Sequence, residues 1–216
     1  MKIINLSEQN SVLNQYIKEI RSVEIQNDSM RFRRNLERIA EIMAYEISKT
    51  LTFETEDVQT PLGIAPTNVI ADKIVIATIL RAGLPFQQGF LNYFDHSESA
   101  FVSAYRKYKD VIKFDIHIEY IASPLINGKT LLLTDPMLAT GSSMELAYKA
   151  LLTKGEPTHT HIAAVIASEA ALRYMTEHLP DNCTLWVAVV DADLDKHSYI
   201  VPGLGDAGDL AFGTKE

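Results

Sequence analysis

The chain has 216 residues, of which 47% are hydrophobic and 22% charged, with a formal net charge of −8 at pH 7. That balance is ordinary for a folded enzyme and argues against a nucleic-acid partner, which would need a basic face. A single cysteine, Cys183, excludes an intrachain disulfide, and no apolar run approaches the roughly 18 residues of a membrane span.

Met1 to Asn10 lacks the apolar core and small-residue cleavage site of a signal peptide, which predicts a cytoplasmic location. Residues 11–21 read as a short helix with Val12, Leu13, Tyr16, Ile17 and Ile20 on one stripe. Asp28 or Ser29 then caps a longer helix, with Phe32, Leu36, Ile39, Ala40, Met43 and Ile47 at helical spacing. The same helix carries Arg31, Arg33, Arg34 and Arg38, either a solvated face or one docked on acidic residues. Residues 51–72 alternate and then break at Pro61, Gly63 and Pro66, which predicts a hairpin flap outside the main sheet.

From there apolar strands alternate with helices. Lys73 to Leu80 reads as a strand, Leu84 to Phe94 as a helix, and Ala100 to Tyr105 as a strand. Phe114, Ile116, Ile118 and Tyr120 alternate with polar residues, as in a half-exposed antiparallel strand. Thr130 to Thr134 is a strand followed by a helix, Met144 to Leu152. Ile162 to Ala167, Glu169 to His178 and Leu185 to Val190 complete the series as strand, helix and strand, with Cys183 as a buried small hydrophobe. The pattern predicts one α/β domain over 1–216, a mainly parallel central sheet flanked by helices, with 51–72 as its flap. Ligands of such sheets sit beyond the carboxyl ends of the strands, where Arg81, Arg106, Asp135 and the Asp191 region fall.

The segment Leu131 to Ser143 carries the strongest chemical signal. Three leucines end in Asp135, and Pro136, Met137, Leu138, Ala139, Thr140, Gly141, Ser142 and Ser143 lead into the helix. Backbone N–H groups at such a helix start cradle a phosphate, Gly141 allows close approach, and the hydroxyls of Thr140, Ser142 and Ser143 add donors. Asp135 accepts hydrogen bonds and so suits the hydroxyls of a ribose. Together these residues describe a ribose 5-phosphate site, although an ordinary strand-to-helix turn of small residues fits the same letters. It is not a Walker loop, because Lys129 lies before the strand.

This segment resembles the 5-phosphoribosyl 1-diphosphate (PRPP) loop of type I phosphoribosyltransferases, and Asp-Pro-Met-Leu-Ala-Thr-Gly is similar to the version found in uracil phosphoribosyltransferases. Three further segments carry the resemblance in family order. Ile79 to Leu84 resembles the diphosphate-binding loop, Tyr105-Arg106 the second arginine site, and Tyr199 to Asp209 with Phe212 to Thr214 the uracil-binding segment, here placed in residues 191–216. Three positions depart from the family: Ser142 stands where a second glycine is usual, Leu210 where a basic residue is usual, and Pro85-Phe86 where Gly-Met is usual.

The resemblance implies transfer of phosphoribose to uracil, giving uridine 5′-monophosphate (UMP) and diphosphate in pyrimidine salvage. It assigns Arg81 and Arg106 to the diphosphate, Asp135 to the ribose hydroxyls, and residues 136–143 to the 5-phosphate. It assigns the Ile200 carbonyl and the N–H groups around Gly205, Asp206 and Ala207 to uracil, with Asp206 also near PRPP. Magnesium is expected through PRPP and water rather than a dedicated set of protein ligands. A homodimer or larger homo-oligomer is implied, and GTP is a candidate effector. A pyrimidine-responsive regulator on the same fold, and transfer to another base, are the competing readings.

Other patterns carry less. Gly203 to Gly208 fits a dinucleotide fingerprint by letter, but only eight residues follow it here, too few for the helix, second strand and distant acid that the fingerprint needs. Asp191, Asp193 and Asp195 open like a calcium loop, yet Lys196 and Pro202 stand where glycine and glutamate are needed. His159 and His161 could share a strand face, with no third metal ligand near them in sequence.

Overall fold

A computed structural model describes residues 1–108 and 114–215; within it, the side chains of residues 104–119 lie outside the description. In chain order the elements are β1 (Lys2–Asn5), α1 (Leu13–Arg21), α2 (Ser29–Ser48), β2 (Phe53–Thr60), β3 (Gly63–Ile70), β4 (Ile74–Ile79), α3 (Gly83–Leu91), β5 (Glu98–Tyr108) and β6 (Phe114–Ala122). They continue with β7 (Thr130–Thr134), β8 (Met137–Leu138), α4 (Ser142–Leu151), β9 (His159–Ser168), α5 (Glu169–His178), β10 (Cys183–Asp191), β11 (Asp193–Leu194), β12 (Ile200–Val201) and α6 (Ala207–Phe212).

The main sheet runs β1-β10-β9-β7-β4-β5-β6, with β8 paired to β9. Every neighbouring pair in it is parallel except β5 and β6. The antiparallel pairing of β6 agrees with the alternation in its sequence; of the residues expected to make it half-exposed, Tyr120 is exposed and the side chains of Phe114, Ile116 and Ile118 lie outside the described residues. β1, which pairs with β10 from Lys2 to Asn5, is too short to have announced itself by period.

Strands β4 and β7 are buried on both faces because helices cover both. Ile74, Ile76 and Leu132 face α1, α2 and α3, where Leu13, Phe32, Leu36, Ile39, Met43, Phe86 and Phe90 fill one core layer. Val75, Ala77, Leu131 and Leu133 face the other way, onto Met144, Ala147, Leu151 and Met175 of α4 and α5. Each fully buried leucine, isoleucine or phenylalanine in these layers contributes about 1.5–3 kcal/mol of transfer free energy. α3 approaches α2 closely at Gly89, where a Cβ would lie 2.1 Å from the Glu37 carbonyl oxygen.

Asp28 caps α2, accepting from the Arg31 N–H at 3.0 Å. The arginines of α2 are docked rather than gathered into a patch. Arg31 pairs with Glu19 at 3.1 Å and Arg34 with Glu37 at 2.7 Å, Arg33 donates to the Ala211 carbonyl at 2.7 Å, and Arg38 to the Asn35 side chain at 3.1 Å.

The expected flap is the two-stranded sheet β2–β3, in register from Phe53 opposite Ile70 to Thr60 opposite Gly63. Its side chains are mostly exposed, Leu62 at the tip completely so. Asp72 ties its base to the body, accepting from the Thr52 N–H at 2.6 Å and from the Thr130 hydroxyl at 2.5 Å. No helix among the described residues is long and apolar enough to cross a membrane.

Candidate active site

The strand order creates a crevice. From β4 the chain builds outward through β5 and β6, whereas from β7 it builds the opposite way through β9 and β10. The direction reverses between β4 and β7, the kind of switch point beyond which α/β sheets bind ligands. Thr78 pairs with Thr134, so the loops that follow, 80–83 and 135–141, leave the sheet side by side. The buried Thr134 hydroxyl donates to the Ala77 carbonyl at 3.1 Å and ties the two strand ends together. Gly83 opens α3 beneath this junction, where a Cβ would meet the Thr78 hydroxyl at 2.1 Å.

Asp135 stands directly after β7. Its N–H donates to the Ala163 carbonyl at 3.1 Å, and its Oδ1 accepts from the Met137 N–H at the same distance. The neighbouring Pro136 carbonyl accepts from Val165 and Ile166, each at 3.0 Å, so the loop is stitched to β9. Asp135 is partly exposed as a residue, but protein atoms crowd its carboxyl. Burial pushes its pKa up to about 7; the Met137 N–H pulls the other way, and the Asp206 carboxylate adds to the rise. Asp135 and Asp206, 71 positions apart in this 216-residue chain, therefore sense each other.

The rest of the loop is shaped for close approach. Gly141 has φ +84 and precedes α4, and a Cβ on it would lie 2.8 Å from Tyr174 Cδ1. The hydroxyls of Thr140 and Ser142 are 2.8 Å apart, and α4 begins at Ser142, so both serines belong to its first turn. Ser168 donates to the Ala139 carbonyl at 2.6 Å, and Glu145, buried, accepts from Tyr174 at 2.5 Å. These contacts brace the loop from α5.

Arg81 reaches out of the β4 loop to the C-terminal segment. Its Nη2 lies 2.7 Å from Asp209 Oδ1, and its Nη1 donates to the Gly213 carbonyl at 3.0 Å. Asp206 caps α6 by accepting from the Asp209 N–H at 3.0 Å, and Gly205, with φ +94, precedes it. Ile200 and Ala207 are buried. Loop 80–83, loop 135–143 and the segment 200–213 thus converge on one crevice. The Arg106 side chain lies outside the described residues; its backbone sits in β5 opposite Ile116. Asp209 lies in the expected base segment, but nothing in the letters links it to an arginine 128 positions away.

The comparisons with known proteins decide the family. The family model described as uracil phosphoribosyltransferase matches residues 7–214. The chain is 64% identical to the uracil phosphoribosyltransferase of Porphyromonas gingivalis over 215 residues, covering both chains in full. It is 37% identical to that of Sulfolobus acidocaldarius, covering 94% of this chain and 96% of the other. The chain belongs to the uracil phosphoribosyltransferase family.

Solved structures share the fold. The AQ2163 protein of Aquifex aeolicus superposes with a TM-score of 0.88 at 28% identity, covering 98% of each chain. A hypoxanthine phosphoribosyltransferase from Staphylococcus aureus shares the fold, with a TM-score of 0.51 at 15% identity over 86% of this chain and 84% of its own.

The departures from the family pattern each have a local setting. Ser142 spends its hydroxyl on Thr140 at 2.8 Å. Leu210 packs, partly buried, against the core layer beneath α2. Pro85 lies in the first turn of α3, where its missing N–H breaks no helix bond. His161 accepts from the Trp186 indole at 3.1 Å and is held neutral, burial pushing its pKa down to about 4. Among the described residues no three metal-ligating side chains converge.

Proposed function

We propose that this chain transfers the phosphoribosyl group of PRPP to N1 of uracil, releasing diphosphate and UMP, as a pyrimidine-salvage enzyme of the cytoplasm. The observation that carries the reading is the meeting of three sequence-distant segments at the sheet's switch point, with Asp135, Arg81 and Asp206 facing one crevice.

The C1′–O bond to diphosphate breaks ahead of full bonding to N1, so the ribose passes through an oxocarbenium-like state. Three demands follow. Arg81, with Arg106, binds the leaving diphosphate, because a guanidinium fork grips phosphate oxygens in pairs. Residues 136–143 hold the 5-phosphate through the N–H groups and hydroxyls of the loop and the first turn of α4. Asp135 accepts from the ribose hydroxyls, and its negative charge offsets the positive charge growing on the ring. Positioning and electrostatics of this kind supply most of such catalysis without a covalent step.

The C-terminal segment aims the base. The Ile200 carbonyl accepts from uracil N3–H, and N–H groups of Gly205, Asp206 and Ala207 donate to O2 and O4. Cytosine would present an amino donor to these donors and leave buried groups unpaired, a mismatch worth about 10⁴-fold or more. Magnesium fits the site, since two carboxylates that repel each other, Asp135 and Asp206, are the sparse oxygen donors it uses alongside a substrate's phosphates. When bound it neutralises diphosphate charge; Asp206 and Asp135 would hold it through water. A homodimer or larger homo-oligomer is part of the reading, and GTP is its candidate effector.

The test is PRPP-dependent conversion of each free nucleobase, with magnesium and with chelator. Uracil alone should be converted, and chelator should abolish the reaction. Preference for another base would move the assignment within the superfamily. Uracil and PRPP binding without turnover would make the chain a regulator.

A further inference from the structure

The turn that would present uracil's acceptor is held from below by groups outside the reaction site. Asp191 ends β10 and is 7% exposed. Its carboxylate takes both ends of the Arg21 guanidinium, Oδ1 from Nη2 at 2.8 Å and Oδ2 from Nη1 at 3.0 Å. The same Oδ2 accepts from the buried Gly203 N–H at 2.9 Å, and Arg21 Nη1 reaches back to the Gly203 carbonyl at 3.3 Å. Both polar groups of one peptide residue are therefore bound to one ion pair. Swapping the oxygen and nitrogen of the Gln26 amide lets the nitrogen donate to the Ile20 and Leu204 carbonyls, each at 3.0 Å.

What makes this more than an anchor is where Gly203 lies. It has φ +52, and a Cβ on it would sit 2.1 Å from the Ile200 carbonyl oxygen and 2.9 Å from the carbonyl carbon. Gly203 is thus pressed against the group assigned to read uracil N3–H. Any shift of Gly203 moves that oxygen or the chain entering Gly205. A buried carboxylate tolerates the loss of a partner poorly, because an uncompensated buried charge is strongly destabilising. When the ion pair is altered, the turn must rearrange.

We infer that Arg21 and Asp191 are positioning residues for base recognition: they set the Ile200–Gly205 turn and thereby the affinity for, and choice of, the pyrimidine, without touching either substrate. This rests on the proposed role of residues 200–207 in reading the base. Arg21 comes from α1, so the first helix of the chain would take part in selecting the base. The 5-phosphate loop is reached through β7 and α5 instead, and it shares none of these bonds.

The experiment compares Arg21→Lys, Asp191→Asn and Asp191→Ala with the parental enzyme, measuring uracil KM, kcat, PRPP Kd and uracil-to-cytosine selectivity. Lys offers one nitrogen where the Arg21 fork uses two, so it cannot reproduce the paired contact with Asp191. Asn keeps an acceptor for the Gly203 N–H, and Ala keeps none. The expected result is a uracil KM raised roughly 10- to 100-fold, the range for a small misplacement at a reacting centre, with PRPP Kd changed less than about twofold. Asp191→Asn should recover part of what Asp191→Ala loses, and selectivity against cytosine should fall.

Leu151→Ala, a core change in α4 on the opposite face of the sheet, serves as the control for lost stability alone. The inference is overturned if this control raises uracil KM as much at equal loss of melting temperature. It is also overturned if the variants weaken PRPP and uracil equally, or leave uracil KM unchanged. If Asp191→Ala does not fold, the other two variants decide between the same outcomes. A parental enzyme that converts no uracil would instead overturn the proposed function itself.

Discussion

Asp135 occupies a site that favours its protonated form, yet the reaction asks for its charge. With its pKa raised to about 7, the folded chain keeps a proton there that the unfolded chain, near 3.8, gives up. The contribution of this group to stability is therefore fully present below pH ~4 and is lost as pH rises through about 7. Asp135→Asn should raise stability at pH 8 by ~1–3 kcal/mol, with little gain at pH 4. The same change should lower kcat/KM for PRPP by about 10²-fold or more, the loss typical of a removed electrostatic group. Thermal unfolding at the two pH values and steady-state kinetics on one preparation check both signs, and unchanged kinetics would remove Asp135 from the ribose site. The letters around Asp135 suggested a phosphate cradle, since backbone N–H groups and hydroxyls gather where small residues lead from a strand into a helix, although an ordinary turn fits the same letters. Its altered acidity was not legible, because it depends on Asp206 and on surrounding atoms that only folding supplies.

At the scale of elements, long runs were legible and short ones were not. α2 and α5 declare themselves by helical period, β4, β7 and β10 by an unbroken apolar run, and their ends fall close to the expected positions. β1, β11, β12 and α6 span two to six residues and are held by their neighbours rather than by their own pattern. α6 matters most, because it turns the expected base segment into a capped helical turn. Ala207 is its first residue, and Asp206 before it is extended, at φ −91 and ψ 107. Proline is accepted at a first helical position and after an extended residue. Ala207→Pro should therefore keep α6 and delete only one N–H of the base site. We expect uracil turnover to fall by at least about 10²-fold while PRPP binding by calorimetry stays near the parental value. Near-parental use of uracil would show that this segment does not read the base.

The whole molecule sets the site by the order of its strands. PRPP bound with magnesium would span the loops after β4 and β7, which belong to the two oppositely growing halves of one sheet. Ligand binding there should stabilise both halves together. At a hundred times its Kd, PRPP should add about 2.7 kcal/mol, which for a domain this size moves the melting temperature by roughly 5–10 °C. Differential scanning calorimetry should give one transition that shifts as a unit; a shift in only part of the transition would contradict a single domain over 1–216.

The sequence by itself determined the alternation of strands and helices, the antiparallel β6, the projecting hairpin and the chemical character of the 135–143 loop. Each of these is a local matter of period, turn residues or side-chain type. Tertiary structure alone decided that β4 and β7 are neighbours, that Arg81 meets Asp209, and that Arg21 and Asp191 brace Gly203. Those contacts join residues far apart in the chain, brought together only when the strands take their places in the sheet. No periodicity records which distant charge will lie opposite which.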